Sequence, residues 1–268
     1  MICSYATIKR ARPFLGTIVE ISISGDDEER LQALATTAFE RISDIQNLLS
    51  YFDPLSDVSR INRAKTNQPL DIDPRTFFVL RKAEDFYRIS SGAFNVVKDQ
   101  IPLTEVIAFS DQTVIKKYAS GTIDLGGIAK GYAVDIAAEF IFSEGVSSVC
   151  VNAGGDLRAI GEPVEVYVRD PSRPEYSVAS LSVCDKAFAT SARMRDSSGF
   201  EQSGVVYHGS TGEIVSKNES ASVIAATCLD ADALAKCVLL MGNASSSLLR
   251  NLDAKAFLIT TDGFSVIN

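Results

Sequence analysis

The segment from Ile123 to Asp135, IDLGGIAKGYAVD, constrains the fold most, because it predicts a strand, a glycine turn and then a helix from about Ala129 to Ser143. Glycines let a ligand approach the backbone closely, and free N–H groups at a helix start favour an anion. Lys130 adds a positive charge there. The segment fits a pyrophosphate, although the spacing alone favours a glycine turn needed only for tight packing. It matches neither the GxGxxG nor the GxxxxGK[ST] pattern.

The rest of the chain mixes strands and helices without regular βαβ alternation. Apolar residues at three- and four-residue steps predict a helix over residues 26–50, and Asp73 before Pro74 predicts a second helix that ends near Ser90. A last helix is predicted over residues 230–241, and residues 51–65 are predicted to be a loop. Strands are predicted at residues 16–25, 149–152, 221–228 and 255–261, with several short ones between 157 and 191. The pattern indicates an α+β fold with mixed or antiparallel sheets and flanking helices, forming a single domain over residues 1–268, in one lobe or two.

Composition excludes several classes of partner. The 268 residues are 46% hydrophobic, which suffices for a large core, and the net charge of −8 argues against nucleic acid. No stretch approaches the ~20 apolar residues of a membrane helix. The first twenty residues lack the apolar region of a signal peptide. We therefore expect a cytoplasmic protein, or a periplasmic one if an export segment is missing from the sequence.

Cysteine and histidine usage limits the chemistry further. Five cysteines at scattered spacings argue against a disulfide framework or a zinc site. Cys150, Cys184 and Cys228 lie in strand-like runs and are expected to be small core residues. His208 is the only histidine, so a multi-histidine metal site is excluded. We expect it to be a loop residue rather than a catalyst.

Further segments carry groups suited to a site. Asp156 follows two glycines at a strand end, which fits a ligand site or a β-turn between paired strands. Asp232 and Lys236 are four residues apart and share a helix face, which fits a surface ion pair or a metal ligand at Asp232. The pair Thr190-Ser191 and the loop at residues 206–212 are weaker candidates.

Taken in order, these segments resemble the ApbE family of FAD:protein FMN transferases over nearly the whole chain. The segments that carry the resemblance are PFLGT at 13–17, SYF at 50–52, DVSRIN at 57–62, SGAFN at 91–95, IDLGGIAKGYAVD at 123–135, VNAGGDLRAIG at 151–161, ATS at 189–191, STG at 210–212 and ADAL at 231–234. The resemblance implies α+β lobes related to the tunnelling fold, with FAD between them. It also implies a magnesium-dependent reaction in which a threonine or serine hydroxyl of a partner protein attacks the FMN phosphorus of FAD and AMP leaves.

Site residues follow from the resemblance position by position. The metal ligands would be the carbonyl of Gly127 and the carboxylate of Asp232. Asp232 and Lys236 are the candidate catalytic residues. The FAD contacts would come from Leu15, Asp57, Val58, Ser59, Asn95, Lys130 and Tyr207.

Several positions depart from the family pattern. Asn95 stands where the family usually has aspartate, Ala192 replaces a glycine, and the usual HIIDPRTG is reduced to VVYHGSTG at 205–212. The metal-binding threonine is replaced by Lys236, and an ammonium group cannot ligate magnesium. We hypothesise that Lys236 puts its charge where the metal would lie and weakens or removes the need for it.

These departures leave three functions open. The first is FMN transfer to an acceptor protein. The second is a non-catalytic FAD-binding carrier or regulator, and the third is an FAD pyrophosphatase that gives FMN and AMP. Exposed sheet edges also leave a homodimer open.

Overall fold

The computed structural model describes residues 5–193, 206–215 and 219–268. The strands of this part of the chain are β1 (Ala6–Phe14), β2 (Thr17–Gly25), β3 (Pro69–Asp71), β4 (Ile107–Ser110), β5 (Thr113–Lys116), β6 (Ser148–Ala153), β7 (Asp156–Ile160), β8 (Val164–Asp170), β9 (Arg173–Val183), β10 (Lys186–Arg193), β11 (Glu219–Ala225), β12 (Lys255–Thr260) and β13 (Gly263–Ile267). The helices are α1 (Glu28–Leu49), α2 (Asp57–Arg63), α3 (Pro74–Ile89), α4 (Leu103–Val106), α5 (Ala129–Ser143), α6 (Cys228–Met241) and α7 (Ser246–Asn251).

One antiparallel sheet organises the fold. Its eight strands lie in the order β1-β2-β6-β7-β10-β11-β12-β13. Two smaller antiparallel sheets accompany it, one with the order β3-β5-β4 and one formed by the β8–β9 hairpin. The predicted α+β class with antiparallel sheets and flanking helices is confirmed.

Helices α1, α5 and α6 cover one face of the large sheet. Helix α1 begins where Asp27 accepts a hydrogen bond from the Arg30 N–H at 3.1 Å, and its apolar stripe is buried against the sheet. Helix α5 runs over Ala129–Ser143, as its sequence predicts, and packs between α1 and α6. One apolar cluster joins these helices to α3 and the small β3-β5-β4 sheet. That continuity supports the single domain over residues 1–268, which stays a prediction.

The β8–β9 hairpin lies against the opposite face of the large sheet. Val166 and Val168 from the hairpin are buried against Leu157, Phe188 and Phe257 of the sheet. The alternation in VEVYVRD places these valines inward and leaves the side chains between them outward. The hairpin thereby covers the large sheet over β7, β10 and β12.

Three predictions about elements are wrong. Residues 51–65 are not wholly a loop, because the Ser56 side chain accepts the Ser59 N–H at 3.0 Å and begins helix α2. The predicted strand over 221–228 ends at Ala225, since Thr227 caps α6 by accepting the Asp230 N–H at 3.1 Å. The predicted strand at 121–127 is reduced to a single bridge between Ile123 and Val97.

The expectation for the cysteines is correct only in part. Cys228 is buried at the start of α6, but Cys150 is half-buried and Cys184 is exposed. Cys184 is exposed because it lies in the tight turn between β9 and β10, beside Asp185 with its φ of 53°. Cys3 lies outside the described residues. Within the described ranges, no helix is both long enough and apolar enough to cross a membrane.

Candidate functional site

A cavity of about 830 Å³ opens at the ends of central strands of the large sheet, where the β6–β7 turn meets the start of α5 and the β8–β9 hairpin. That volume lies in the range of small-molecule and cofactor sites. The cavity wall combines lysines, glycine backbone and apolar side chains from eight segments of the chain. Its residues include Asn95, Asp124, Gly126, Gly127, Lys130, Gly154, Gly155, Leu157, Tyr167, Arg169, Phe188, Thr190, Tyr207, Ser220 and Lys236.

Lys130 and Asp156 form a largely buried ion pair beside this cavity. The side chain of Lys130 is 29% exposed and that of Asp156 only 2%. The second carboxylate oxygen of Asp156 accepts the Thr190 N–H at 3.2 Å, which ties β7 to β10. The β-turn alternative for residues 153–156 is correct as well, because Ala153 pairs with Asp156 across a hairpin. Asp156 is thus both a turn residue and the partner of Lys130.

Asp232 and Lys236 form a second ion pair one helical turn apart on α6. The Asp232 side chain is 2% exposed and Lys236 is 21% exposed, so the expectation of a surface pair is wrong. Lys236 Nζ donates to the carboxylate of Asp232 and, at 3.1 Å, to its backbone carbonyl. The other carboxylate oxygen accepts the Gly131 N–H from the first turn of α5 at 3.1 Å. The protein's own carboxylate therefore occupies part of the anion-favouring helix start.

Close contact between α5 and α6 makes this arrangement possible. A Cβ added at Gly131 would lie 2.3 Å from the Cys228 carbonyl oxygen, so only glycine fits. Further along α5, Asp135 accepts the N–H groups of Cys228 and Leu229 at 2.8 Å each. Burial raises the pKa of Asp135 to about 7. The segment whose sequence predicts a ligand-binding turn therefore also holds α5 against α6.

The four charges influence one another electrostatically. Burial and the nearby Asp232 raise the pKa of Asp156, while Lys130 and Lys236 oppose that rise. Burial lowers the pKa of Lys130, but Asp232 and Asp156 outweigh it, so its pKa is raised and it stays cationic. The two lysines border the cavity and the two carboxylates lie behind them. An anionic ligand beside these two pairs thus meets cations first, although Asp124 and Glu165 also line the cavity.

Gly127 lies against the aliphatic part of Lys236. A Cβ at Gly127 would be 3.3 Å from both Cδ and Cε of that lysine. The turn that carries the Gly127 carbonyl therefore lies near the carboxylate of Asp232, with the side chain of Lys236 between them. This is the position that the resemblance assigns to a metal.

Asn95 and Tyr207 also border the cavity. Asn95 donates to the carbonyls of Ile101 and Gly209, at 3.0 and 3.2 Å, and accepts the Val97 N–H at 3.0 Å. The bond to Gly209 holds the loop at residues 206–212, while the other two fix the segment from Asn95 to Ile101. Burial raises the pKa of Tyr207, so its hydroxyl stays protonated. His208 is a half-buried residue of this loop and does not line the cavity.

Four of the predicted FAD contacts do not line this cavity. Asp57 is buried and accepts hydrogen bonds from the Thr76 hydroxyl and the Asp73 N–H at 2.9 and 2.8 Å, which join α2 to α3. Val58 and Ser59 are buried in the same helix. Leu15 has a φ of 56° and donates its N–H to Gln46 at 2.7 Å. These four residues shape the surrounding framework.

Sequence reasoning missed the part of the wall that the hairpin supplies. Tyr167 and Arg169 border the cavity together with the apolar side chains of Leu157 and Phe188. The alternation of residues 164–170 predicts a strand, but nothing in it shows that the strand folds over a distant turn. Only the hairpin's placement on the sheet brings these residues to the site.

Comparison with known proteins gives consistent matches. Residues 15–258 match the profile of the ApbE family. The FAD:protein FMN transferase of Vibrio cholerae is 25% identical over 87% of this chain and 81% of its own, and that of Treponema pallidum is 25% identical over 90% and 81%. Among solved structures, the ApbE protein of Thermotoga maritima superposes with a TM-score of 0.84 at 24% identity, covering 97% of this chain and 96% of its own. The flavin transferase ApbE of Vibrio cholerae has a TM-score of 0.82 at 22% identity, covering 98% and 97%. At these identities the structural likeness shows the fold.

Proposed function

The chain belongs to the ApbE family, and from that premise we propose that it is an FAD:protein FMN transferase. The observation that carries the proposal is the cavity bordered by Lys130 and Lys236, two cations backed by buried carboxylates. FAD is the substrate, and the acceptor is a threonine or serine hydroxyl of a partner protein.

The reaction exchanges one phosphorus–oxygen bond for another. The acceptor oxygen bonds to the FMN phosphorus, and the bond from that phosphorus to the bridging oxygen breaks. AMP leaves with the bridging oxygen, and the hydroxyl proton passes to water. Negative charge on the phosphoryl oxygens and on the departing AMP must be stabilised, which is the main task of a protein in phosphoryl transfer.

Lys130 and Lys236 are placed to supply that stabilisation. Each is anchored by a carboxylate that is 2% exposed, and each reaches the cavity wall. Anchoring fixes the ammonium groups before the substrate arrives, so little reorganisation accompanies the reaction. Leu157, Phe188 and Tyr167 offer apolar surface for the flat ring systems of FAD.

The described residues do not fit the magnesium ion that the family resemblance implies. Asp232 offers both carboxylate oxygens to intramolecular donors, Gly131 and Lys236, and the family's threonine is absent. No group of three or more His, Cys, Asp or Glu side chains in the described ranges could hold a metal. An ammonium group beside Asp232 would repel a divalent cation. We therefore propose that Lys236 takes the place of the metal.

The function is tested by incubating the purified protein with FAD and a library of 20-residue peptides, each with a central threonine or serine. AMP, free FMN and peptide-bound flavin are quantified by chromatography and mass spectrometry. Transfer predicts AMP and peptide-bound flavin in equal amounts. AMP with an equal amount of free FMN would instead identify a pyrophosphatase, and FAD that is bound but intact would identify a carrier.

A further inference from the structure

The two edge strands of the large sheet differ in how they are protected. An edge strand offers unpaired N–H and C=O groups, and proteins commonly guard it with charged residues or proline. The edge strand β1 has such guards in Lys9, Arg10, Arg12 and Pro13. The other edge strand, β13, reads GFSVI and carries neither a charge nor a proline. Its free edge is therefore open to another strand.

Beside this free edge lies an uncovered apolar surface. Phe264 and Val266 are 45% and 44% exposed, and they lie opposite Ile259 and Phe257 of β12. Residues directly opposite each other share a face of the sheet. Ile259 and Phe257 belong to the apolar cluster beneath the β8–β9 hairpin, and the Phe264 ring stacks on Phe257 with centres 6.4 Å apart. The apolar layer thus extends past the hairpin and ends uncovered on β13.

The edge is complementary to itself about a two-fold axis through Ser265. Antiparallel pairing of two copies of β13 about that axis places Phe264 of one copy opposite Val266 of the other. The two side chains then lie on the same face, where each covers apolar surface of the other.

The charges that flank β13 are complementary in the same register. Asp262 of one copy lies opposite Asn268 of the other. The Arg250 guanidinium donates to the Asn268 carbonyl at 3.5 Å, so Asp262 approaches Arg250 of the second copy at both ends of the paired strands. Both side chains are exposed, and neither forms an ion pair within the described ranges.

We propose that two copies of this chain form a homodimer by antiparallel pairing of β13, which joins their large sheets into one. Phe264 and Val266 lie at the centre of the interface, and Asp262–Arg250 pairs close its two ends. No residue of β13, a strand that the structure describes in full, lines the cavity, so both cavities stay open. The inference therefore does not depend on the proposed transfer reaction. Five residues span only about 17 Å, so we expect a weak dimer with a Kd on the order of 10 µM.

The test is sedimentation velocity over a concentration series, which gives the dimer Kd without any measurement of activity. The proteins compared are the wild type, Val266→Lys, Arg250→Glu and the charge-swapped double variant D262R/R250E. Ala11→Lys is the matched control, since it adds a lysine at an exposed position of the opposite edge strand. Thermal unfolding followed by circular dichroism checks that each variant is folded.

The proposal predicts a Kd at least tenfold higher in Val266→Lys and in Arg250→Glu, because each puts unfavourable charge into the interface twice. D262R/R250E should return to within about threefold of the wild type, and Ala11→Lys should match it. A wild type that stays monomeric up to about 1 mM would overturn the proposal. So would a dimer that Ala11→Lys dissociates, or a double variant as weak as Arg250→Glu. If Val266→Lys does not fold, Arg250→Glu and the double variant decide by the same criteria, since they change only exposed side chains.

Discussion

Lys236 Nζ lies 3.1 Å from the backbone carbonyl oxygen of Asp232 and also donates to its carboxylate, so one turn of α6 carries both a buried anion and its cation. The Gly131 N–H holds the second carboxylate oxygen from α5. The lysine is therefore positioned by two helices that are in close contact. A cation held in this way stays in place before, during and after the reaction.

Lys130→Met is expected to lower the free energy of unfolding by about 3–5 kcal/mol, because it leaves Asp156 buried without its charge partner. It should also weaken FAD binding. Urea denaturation and FAD titration measure the two effects. The double variant K130M/D156N should recover most of the stability but not the FAD affinity. A loss of stability under 1 kcal/mol in the single variant would contradict the account.

Gly131→Ala is expected to destabilise the protein by about 1–3 kcal/mol, because the added methyl group would meet the Cys228 carbonyl. Gly127→Ala is the control, since its methyl group would meet the flexible chain of Lys236 at 3.3 Å and the Phe94 ring at an ordinary contact distance of 3.5 Å. That variant should retain stability yet lose turnover as the ammonium group is displaced. Thermal unfolding and AMP release separate the two effects, and equal destabilisation by both variants would show that the contact between α5 and α6 is not limiting.

Asn95→Asp is expected to cost about 1–3 kcal/mol, although it restores the residue type usual in the family. A carboxylate oxygen would replace the amide that donates to Ile101 and Gly209, and oxygen would then face oxygen. Asn243→Asp, at an exposed position, is the matched control. Chemical denaturation measures both variants. If Asn95→Asp were as stable as the wild type, the amide would not be what fixes the loop at residues 206–212.

Asp135 should make stability depend on pH. Burial raises its pKa from the ordinary 3.8 to about 7, so the folded protein keeps a proton that the unfolded chain loses. For a shift of about three pKa units, the protonated Asp135 contributes about 4 kcal/mol to the free energy of unfolding. This contribution is fully present below about pH 4 and is lost as the pH rises to 7. Denaturation curves of the wild type and Asp135→Asn from pH 4 to 8 test this. The wild type should lose stability relative to the variant as the pH rises, and parallel profiles would contradict the raised pKa.

The sequence predicts the parts of the fold that depend on local pattern. Helix α1 follows from its apolar periodicity, α3 from Asp73 before Pro74, and α5 from the glycine turn that precedes it. Helix α2 has only seven residues, which is too short for an apolar periodicity to be recognised. Its one local signal is Ser56, which caps its first turn. Local pattern therefore identifies long elements better than short ones.

The site is less predictable, because its pairs are distant along the chain. Lys130 and Asp156 are 26 residues apart, and Gly131 and Asp232 are 101 apart. Only the Asp232–Lys236 pair is local, and its spacing shows that the two meet but not that they are buried. Burial comes from the packing of α5 against α6, which depends on the missing side chain of Gly131.

The central claim is that Lys236 supplies the charge that a metal would otherwise supply. The most direct measurement is the rate of AMP release from FAD, in EDTA and in magnesium, for the wild type, Lys236→Met and Lys236→Thr. We predict that the wild type releases AMP at the same rate in both media. Lys236→Met should lose about 10²–10³-fold in both, the cost of removing one such electrostatic contact. Lys236→Thr should be slow in EDTA and partly restored by magnesium. Wild-type activity that disappears in EDTA and returns with magnesium would contradict the account.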